Sequence, residues 1–401
     1  MTYETDVAIV GGGLAGSTAA AMLGRAGISA TLIDPHPVYP PDFRCEKLDA
    51  SQLATLHKTG LAQAVLAKGT IDRAIAVVRG GRVVDVKPRT QLNILYDTLV
   101  NTMRGEIPAN VRTVFDKVTA IATSADRQSL SLSNGETISA RLVVFASGLN
   151  IALRHTLGIG RETISPAHSI SMGFDLEPVG SETLRHRALT YFSERATDRM
   201  AYFAMFPIGA ANRVNLFVYR DMTDPWLEGF RKAPEASLDA IMPRLRALLG
   251  DYKVSGFVKI RPVDLVVTRG HLQPGIVLVG DAYSTSCPAA GTGTNKVFTD
   301  VERLCNVHIP RWLATPGMGA EKVAAFYSDP EKIAVEALSR DKAFRLRAIS
   351  TRTGLTWSAR RWGRFAAHQA IGVARKLRTP SGTDALSHVA TGGPRRYDAR
   401  P

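Results

Sequence analysis

Cysteine, aromatic residues and long apolar runs are all scarce in this 401-residue sequence. The three cysteines, Cys45, Cys287 and Cys305, are odd in number and far apart. They offer neither the paired spacing of a zinc site nor the density of a secreted disulfide scaffold. A reducing compartment fits them, and the expectation is a cytoplasmic protein. No apolar run approaches the roughly 18 residues that a membrane-spanning helix needs. The first apolar stretch follows Glu4 and Asp6 and is broken by three glycines, unlike the basic leader of a secretory signal. The nine histidines show no i, i+4 pairing and no H-E-x-x-H run, so no metal is expected. With 34 Gly and 21 Pro, 45% hydrophobic and 21% charged residues, the composition is that of a globular chain rather than a low-complexity one. At about 150 residues per domain, two or three domains are expected.

Acidic residues are also in short supply: 36 against 50 Lys and Arg, a net charge of +14. The surplus is local. From Arg340 onward fourteen Lys and Arg face only Asp341, Asp384 and Asp398, which leaves the body of the chain near neutral. Within 357–378, Trp362, Phe365, Ala366, Ala370, Val373 and Leu377 fall on one helical stripe, with basic residues beside or opposite it. Docking on the protein's own body, an anionic membrane surface, a partner protein and nucleic acid would each use such a segment.

The run from Asp6 to Val10 ends in Gly11, Gly12 and Gly13; the alanine-rich stretch 14–26 stops at Gly27; and the apolar residues 30–33 end in Asp34. This pattern predicts strand, tight turn, helix and strand, hence a parallel sheet. Further along, the pattern predicts a helix over 51–67, strands over 73–78 and 82–86, and a helix over 90–104. A hairpin turn at Asn134-Gly135 and a buried strand over 142–145 follow. Between 165 and 267 aromatic-rich alternation predicts antiparallel strands (170–176, 188–192, 200–206 and 214–219) and one helix over 235–249. An apolar strand over 276–279 then leads back to glycine. The expected domains are a discontinuous nucleotide-binding unit (1–70, 90–164 and 268–330), a sheet unit (71–89 and 165–267) and a helical basic tail (331–401).

Gly11, Gly13 and Gly16 satisfy G-x-G-x-x-G, in which the glycines serve a tight turn, close approach to a pyrophosphate and helix-to-strand packing. The amides at Leu14 and Ala15, at the helix start, would face the diphosphate. Asp34 follows Gly11 by 23 residues, where a carboxylate accepts ribose hydroxyls. At this point FAD and NAD both remain open.

A second glycine segment separates them: Gly280-Asp281-Ala282, Pro288, Gly291, Gly293, Asn295 and Asp300. It resembles the para-hydroxybenzoate-hydroxylase-like (class A) FAD-dependent monooxygenases, matching their G-D-A-x-x-x-x-x-P-x-x-G-x-G-x-N-x-x-x-x-D pattern. The resemblance implies an α/β fold, with a Rossmann-like FAD-binding domain, an inserted antiparallel sheet that holds substrate, and C-terminal helices. It implies that Asp281, following Gly280, binds the ribityl chain and that Arg44 and the R-x-x-L start at Arg89 reach the diphosphate. The turn after Pro288, with Gly291 and Gly293, would lie against the isoalloxazine. The amides of Thr294 and Asn295, at a helix start, suit the anionic edge of reduced flavin. Lys296 in that first turn calls for either an outward, solvated stem or an anionic neighbour such as reduced flavin.

The implied activity is hydroxylation of a small aromatic or electron-rich substrate by oxygen through a flavin C4a-hydroperoxide, with NAD(P)H as electron source. The sequence departs from the family at Ala146-Ser147-Gly148, where an Asp-Gly motif is usual, so a separate flavin reductase is an alternative route for electrons. Tyr283, Ser284 and Val297 also stand in place of usual residues. Tyr202, Phe206, Phe217 and Tyr219 are the candidate substrate-pocket residues, although strand alternation lets only one parity face the flavin. The stretch 202–207 keeps part of the Y-x-W-x-F-P segment of geranylgeranyl-reductase-like proteins, with Ala204 in place of Trp. That reductase reading, and a basic-tail membrane or nucleic-acid binder with a vestigial FAD domain, are the alternatives. A homodimer is a further option.

Overall fold

The computed structural model describes residues 2–193 and 195–378. The strand Thr2–Val10 lies parallel between Ala30–Ile33 and Thr137–Phe145, with Arg112–Val114 outside the former and Ile276–Leu278 parallel to the latter. Residues 7–10, 142–145 and 276–278 are buried on both faces, which is why they read as unbroken apolar runs. Their register puts Val10 opposite both Ile33 and Phe145. The strands therefore end together, and the chain leaves them at Gly11, Asp34, Ala146 and, just beyond Leu278, Gly280. A ligand crevice belongs at such a carboxyl edge. The strands Val118–Ala122 and Gln128–Leu132 extend this sheet antiparallel, and the Asn134-Gly135 hairpin is present, with Gly135 at φ 86°.

The second sheet has eight strands in the order Tyr252–Arg269, Gly160–Pro178, Ala211–Val218, Met200–Ile208, Leu189–Phe192, Thr70–Arg79, Arg82–Asn93 and Lys47–Asp49. All neighbours are antiparallel except Leu189–Phe192 with Thr70–Arg79. One face packs Phe174, Phe203 and Leu216 against Phe230, Leu238 and Leu245 of the covering helices. The other face is left for the site.

Three predicted helices differ. The one over 90–104 begins only at Tyr96 (Tyr96–Gly105), because residues 90–93 continue the strand, with Asn93 Nδ2 donating to Asp72 at 2.6 Å. The one over 51–67 is split into Ala50–Lys58 and Ala62–Leu66 at Gly60, whose φ is 75°. The one over 235–249 becomes Pro234–Ile241 and Leu245–Leu249, preceded by a further helix, Pro225–Lys232, since Pro243 removes an amide donor and favours a break.

The basic segment forms the helices Pro330–Thr351 and Leu355–Arg378. The second leans on the strand Arg82–Asn93. Its apolar stripe is only partly covered: Trp362 is 56% exposed and Phe365 half-buried, whereas Arg361 is buried and donates to the Ile349 and Arg352 carbonyls. A guanidinium capping the preceding helix end outweighs the apolar pattern. The side chains of Val373 and Leu377, and residues 379–401, lie outside the described residues. Among the described residues no helix is long and apolar enough to cross a membrane.

Candidate functional site

Between the two sheets lies a cavity of about 800 Å³. Its floor is the turn before the helix Gly293–Arg303: Pro288, Gly291, Gly293, Thr294 and Asn295 line it. Thr292 precedes that helix without capping it, because its hydroxyl is turned to Ser339 at 2.7 Å. The first-turn amides are thus left for a ligand, the arrangement that binds anions. The floor is fixed from beneath by a capping box at Asp49 and Gln52. Gln52 Nε2 donates to the Gly291 carbonyl at 3.1 Å and to Thr294 Oγ1 at 2.8 Å.

At the crevice end, Arg44 Nη1 donates to Asp281 at 2.9 Å and its Nε to Asp42. Against its burial, Tyr96, Asp281 and Asp42 raise the Arg44 guanidinium above its ordinary value, and Arg44 and Arg261 together hold Asp42 below the usual carboxylate range. Arg161, a residue the sequence did not single out, donates to the Asp281 and Gly148 carbonyls and lines the cavity. It holds the loop after Phe145 at the place where Ser147 stands instead of an acid.

Gly11, Gly13, Ala15 and Gly16 lie in the turn and first helical turn, and of this group only Leu14 beside them lines the cavity. Gly11 has φ 102°, and a Cβ on Gly16 would sit 1.8 Å from the Gly11 carbonyl oxygen, so the third glycine has no substitute. Asp34 accepts from the amides of Gly12 at 2.7 Å and His36 at 2.9 Å, and pairs with Arg104 at 3.1 Å. Arg104 also donates to the Gly12 carbonyl. It lies 92 residues away in sequence, at the end of Tyr96–Gly105, and no motif spacing announced it.

Four expected placements change. Arg89 lies within the strand Arg82–Asn93, not at a helix start, and its guanidinium holds Asp49 at 2.9 Å on the sheet side of the cavity. Tyr202 and Phe217 line the cavity, but Phe206 and Tyr219 do not. Phe206 is covered by Lys47, and Tyr219, beyond the end of its strand, packs with His168 and the Cys287 cluster. Phe192 joins Tyr202 and Phe217 instead, its ring centroid 5.7 Å from that of Tyr202, which lies 4.9 Å from that of Phe217. Lys296 is neither solvated nor on the cavity: it is 2% exposed, pairs with Glu336 at 2.9 Å, and donates to the Ser284 carbonyl. Its anionic neighbour is a side chain of the helix Pro330–Thr351, in a second, smaller cavity. Lys296→Met should therefore lower the unfolding midpoint in urea while leaving the cofactor's visible spectrum unchanged. A changed spectrum at wild-type stability would contradict this.

Residues 4–307 match the FAD binding domain family. The chain belongs to that family. Its glycine segments and parallel sheet are those of an FAD-dependent monooxygenase, as the resemblance implied. The chain is 28% identical over 319 residues to the ubiquinone hydroxylase UbiL of Rhodospirillum rubrum, covering 74% of this chain and 70% of that one. It is 27% identical over 330 residues to the 3-demethoxyubiquinol 3-hydroxylase of Escherichia coli, covering 76% and 79%. Among solved structures, p-nitrophenol 4-monooxygenase PnpA of Pseudomonas putida superposes with a TM-score of 0.72 at 17% identity, over 94% of this chain and 96% of that one. This last likeness shows the shared fold.

The residues of this flavoprotein fit FAD. The uncapped amides of the floor face a cavity large enough for a ring system, and Arg44 and Asp281 supply a cation and an acceptor at its crevice end.

Proposed function

We propose that this flavoprotein hydroxylates a small aromatic substrate held between the helix start and the sheet, with NAD(P)H as the source of electrons. The observation that supports this reading most is the cavity's two-sided chemistry. Backbone amides line one wall, and an aromatic wall of Phe192, Tyr202 and Phe217 flanked by cations forms the other. FAD, when bound, supplies the redox chemistry and the activation of oxygen. The protein's own share is placement. Gly11, Gly13 and Gly16 would shape the diphosphate turn; Asp34 would accept the ribose hydroxyls; Arg44 would meet the diphosphate; Asp281 would take the ribityl chain; and the Thr294 and Asn295 amides would hold the electron-rich ring edge. The Pro288 turn forms the floor, and Tyr202 braces it by donating its hydroxyl to the Ala289 carbonyl at 2.9 Å.

The experiment is oxygen and NAD(P)H consumption by the purified yellow protein against a panel of phenols, with product mass gain of one oxygen atom. Failure to bind FAD would remove the reading. The loop at Ser147 carries no carboxylate to order a nicotinamide. We therefore expect anaerobic reduction by NADPH alone below about 10 per second, the middle of the enzyme range. Faster reduction in a stopped-flow trace would show that no separate reductase is needed.

A further inference from the structure

Lys47 opens the short strand Lys47–Asp49 and lines the cavity beside the aromatic wall. Its Nζ lies 5.4 Å from the centroid of Tyr202 and 5.2 Å from that of Phe206. The neighbouring carboxylates are engaged elsewhere. Glu46 accepts from Asn215 at 2.8 Å and faces Arg213, while Asp49 caps its own helix and holds Arg89. Arg89, on the adjacent strand, lines the same cavity. Resting on the hydroxylase reading above, we propose that Lys47 is the base that accepts the substrate's acidic proton, which makes phenols or enols ionising near neutral pH the substrate class.

The step balances simply. The substrate O–H bond breaks and leaves its electron pair on oxygen, an N–H bond forms at Lys47 Nζ, and nothing is oxidised or reduced. The product pair, ammonium and phenolate, attract each other in a partly desolvated cavity, and the two rings beneath Nζ favour the cation once it forms. The ionised ring is richer in electrons at the carbons to be hydroxylated.

The surroundings prepare Lys47 to act as a base. Burial, and after it the Arg89 guanidinium, pull its ammonium down to about 8, against smaller opposing pulls from Cys45, Glu46 and Asp49. Tyr202 does not compete for the role: burial pushes its phenol up, and its hydroxyl is already donated to the Ala289 carbonyl. A cation kept beside another cation opposes folding. That cost is fully present below about pH 8 and is relieved as pH rises towards the ordinary lysine value of 10.5. Lys47→Met should consequently fold and be no less stable than the parent at pH 7.

The test uses the FAD-loaded protein and 4-nitrophenol, which absorbs near 400 nm only as the phenolate and titrates near neutrality. Bound to the parent protein, the probe should be ionised at a pH about one unit lower than in water, a tenfold change in the ratio of its forms. Lys47→Met should bind it without that shift. A shift that persists in Lys47→Met, or no bound phenolate in the parent between pH 6 and 9, overturns the proposal. Amine-selective labelling of the parent, read by peptide mass spectrometry across pH, supplies a second measurement that needs no variant. Half-maximal reactivity of Lys47 is expected near pH 8, and an ammonium that stays unreactive to pH 10 overturns the proposal equally. Visible flavin in the same samples separates this failure from failure of the FAD reading.

Discussion

Lys332→Met should lower the stability of the folded protein by about 3–5 kcal/mol, the cost of stranding a charge in the interior. Lys332 is 1% exposed, and its Nζ lies 2.8 Å from Asp300 Oδ1 and 3.7 Å from Glu336. Asp300 is wholly buried, and its second oxygen accepts the Gly280 amide at 2.9 Å. Removing the ammonium, which lies over the Tyr283, Phe326 and Tyr327 rings, leaves Asp300 without a cation, whereas Glu336 keeps Lys296 at 2.9 Å. Protonating Asp300 is the cheaper escape, and it weakens the bond that shapes the Gly280-Asp281 turn. Urea unfolding at pH 7 should therefore show the lost stability together with weaker FAD retention. Adding Asp300→Asn to Lys332→Met should restore part of the loss, because the amide oxygen still accepts from Gly280 without a charge to bury. The carboxylates hold Lys332 above its ordinary 10.5, so its contribution is complete below that value and is lost only as pH climbs through the raised one. The gap between parent and variant should widen as pH rises above neutral, because the folded variant keeps a proton on Asp300 that its unfolded chain has released. A variant within about 1 kcal/mol of the parent would show that the pair only breaks even against an apolar side chain.

What could be read in advance follows from which interactions are local. The turn at Gly11 to Gly16 and the segment Gly280 to Asn295 carry their reasons in consecutive residues, since positive φ, close backbone approach and uncapped amides are all written as glycine spacing. The parallel strands could be read because burial on both faces leaves no alternation. Long-range pairing could not be read. Arg104 closing on Asp34, Arg161 on the Asp281 carbonyl and Glu336 on Lys296 join residues 70, 120 and 40 apart, and no periodicity encodes such meetings. Arg89 was misplaced because its strand runs on to Asn93, where a buried Asn–Asp hydrogen bond outweighs the helical appearance of Gln91 to Leu99. Lys47 gave no signal, since a lysine at a strand start is ordinarily solvated. Strand parity fixed that one face would meet the cavity, and the register of Met200–Ile208 with Ala211–Val218 decided that Tyr202 and Phe217 lie on it.

Asp281→Ala should yield folded but largely flavin-free protein. The side chain is about one third exposed to the cavity and, among the described residues, bonds only Arg44 Nη1, at 2.9 Å, while its carbonyl is held by Arg161 whatever the side chain. Its loss therefore removes little from the core, and the unfolding midpoint should stay near the parent's. On the proposed placement FAD, by contrast, loses a charged acceptor, worth about 1.5–3 kcal/mol for a hydrogen bond to an ionised group, or about tenfold to a hundredfold in affinity. Arg44 is released at the same time, with Asp42 its one remaining carboxylate partner among the described residues, and a guanidinium free to swing would no longer present itself to the diphosphate as proposed. Asp281→Asn separates the two effects. It keeps an acceptor for the ribityl chain but loses the charge that steers Arg44, so its affinity should fall between parent and alanine variant. The measurement is the ratio of flavin to protein absorbance after purification, followed by FAD titration of the stripped protein. Full occupancy in Asp281→Ala would move the ribityl contact away from the Gly280-Asp281 turn, leaving the Gly293 helix start as the principal anchor of the ring.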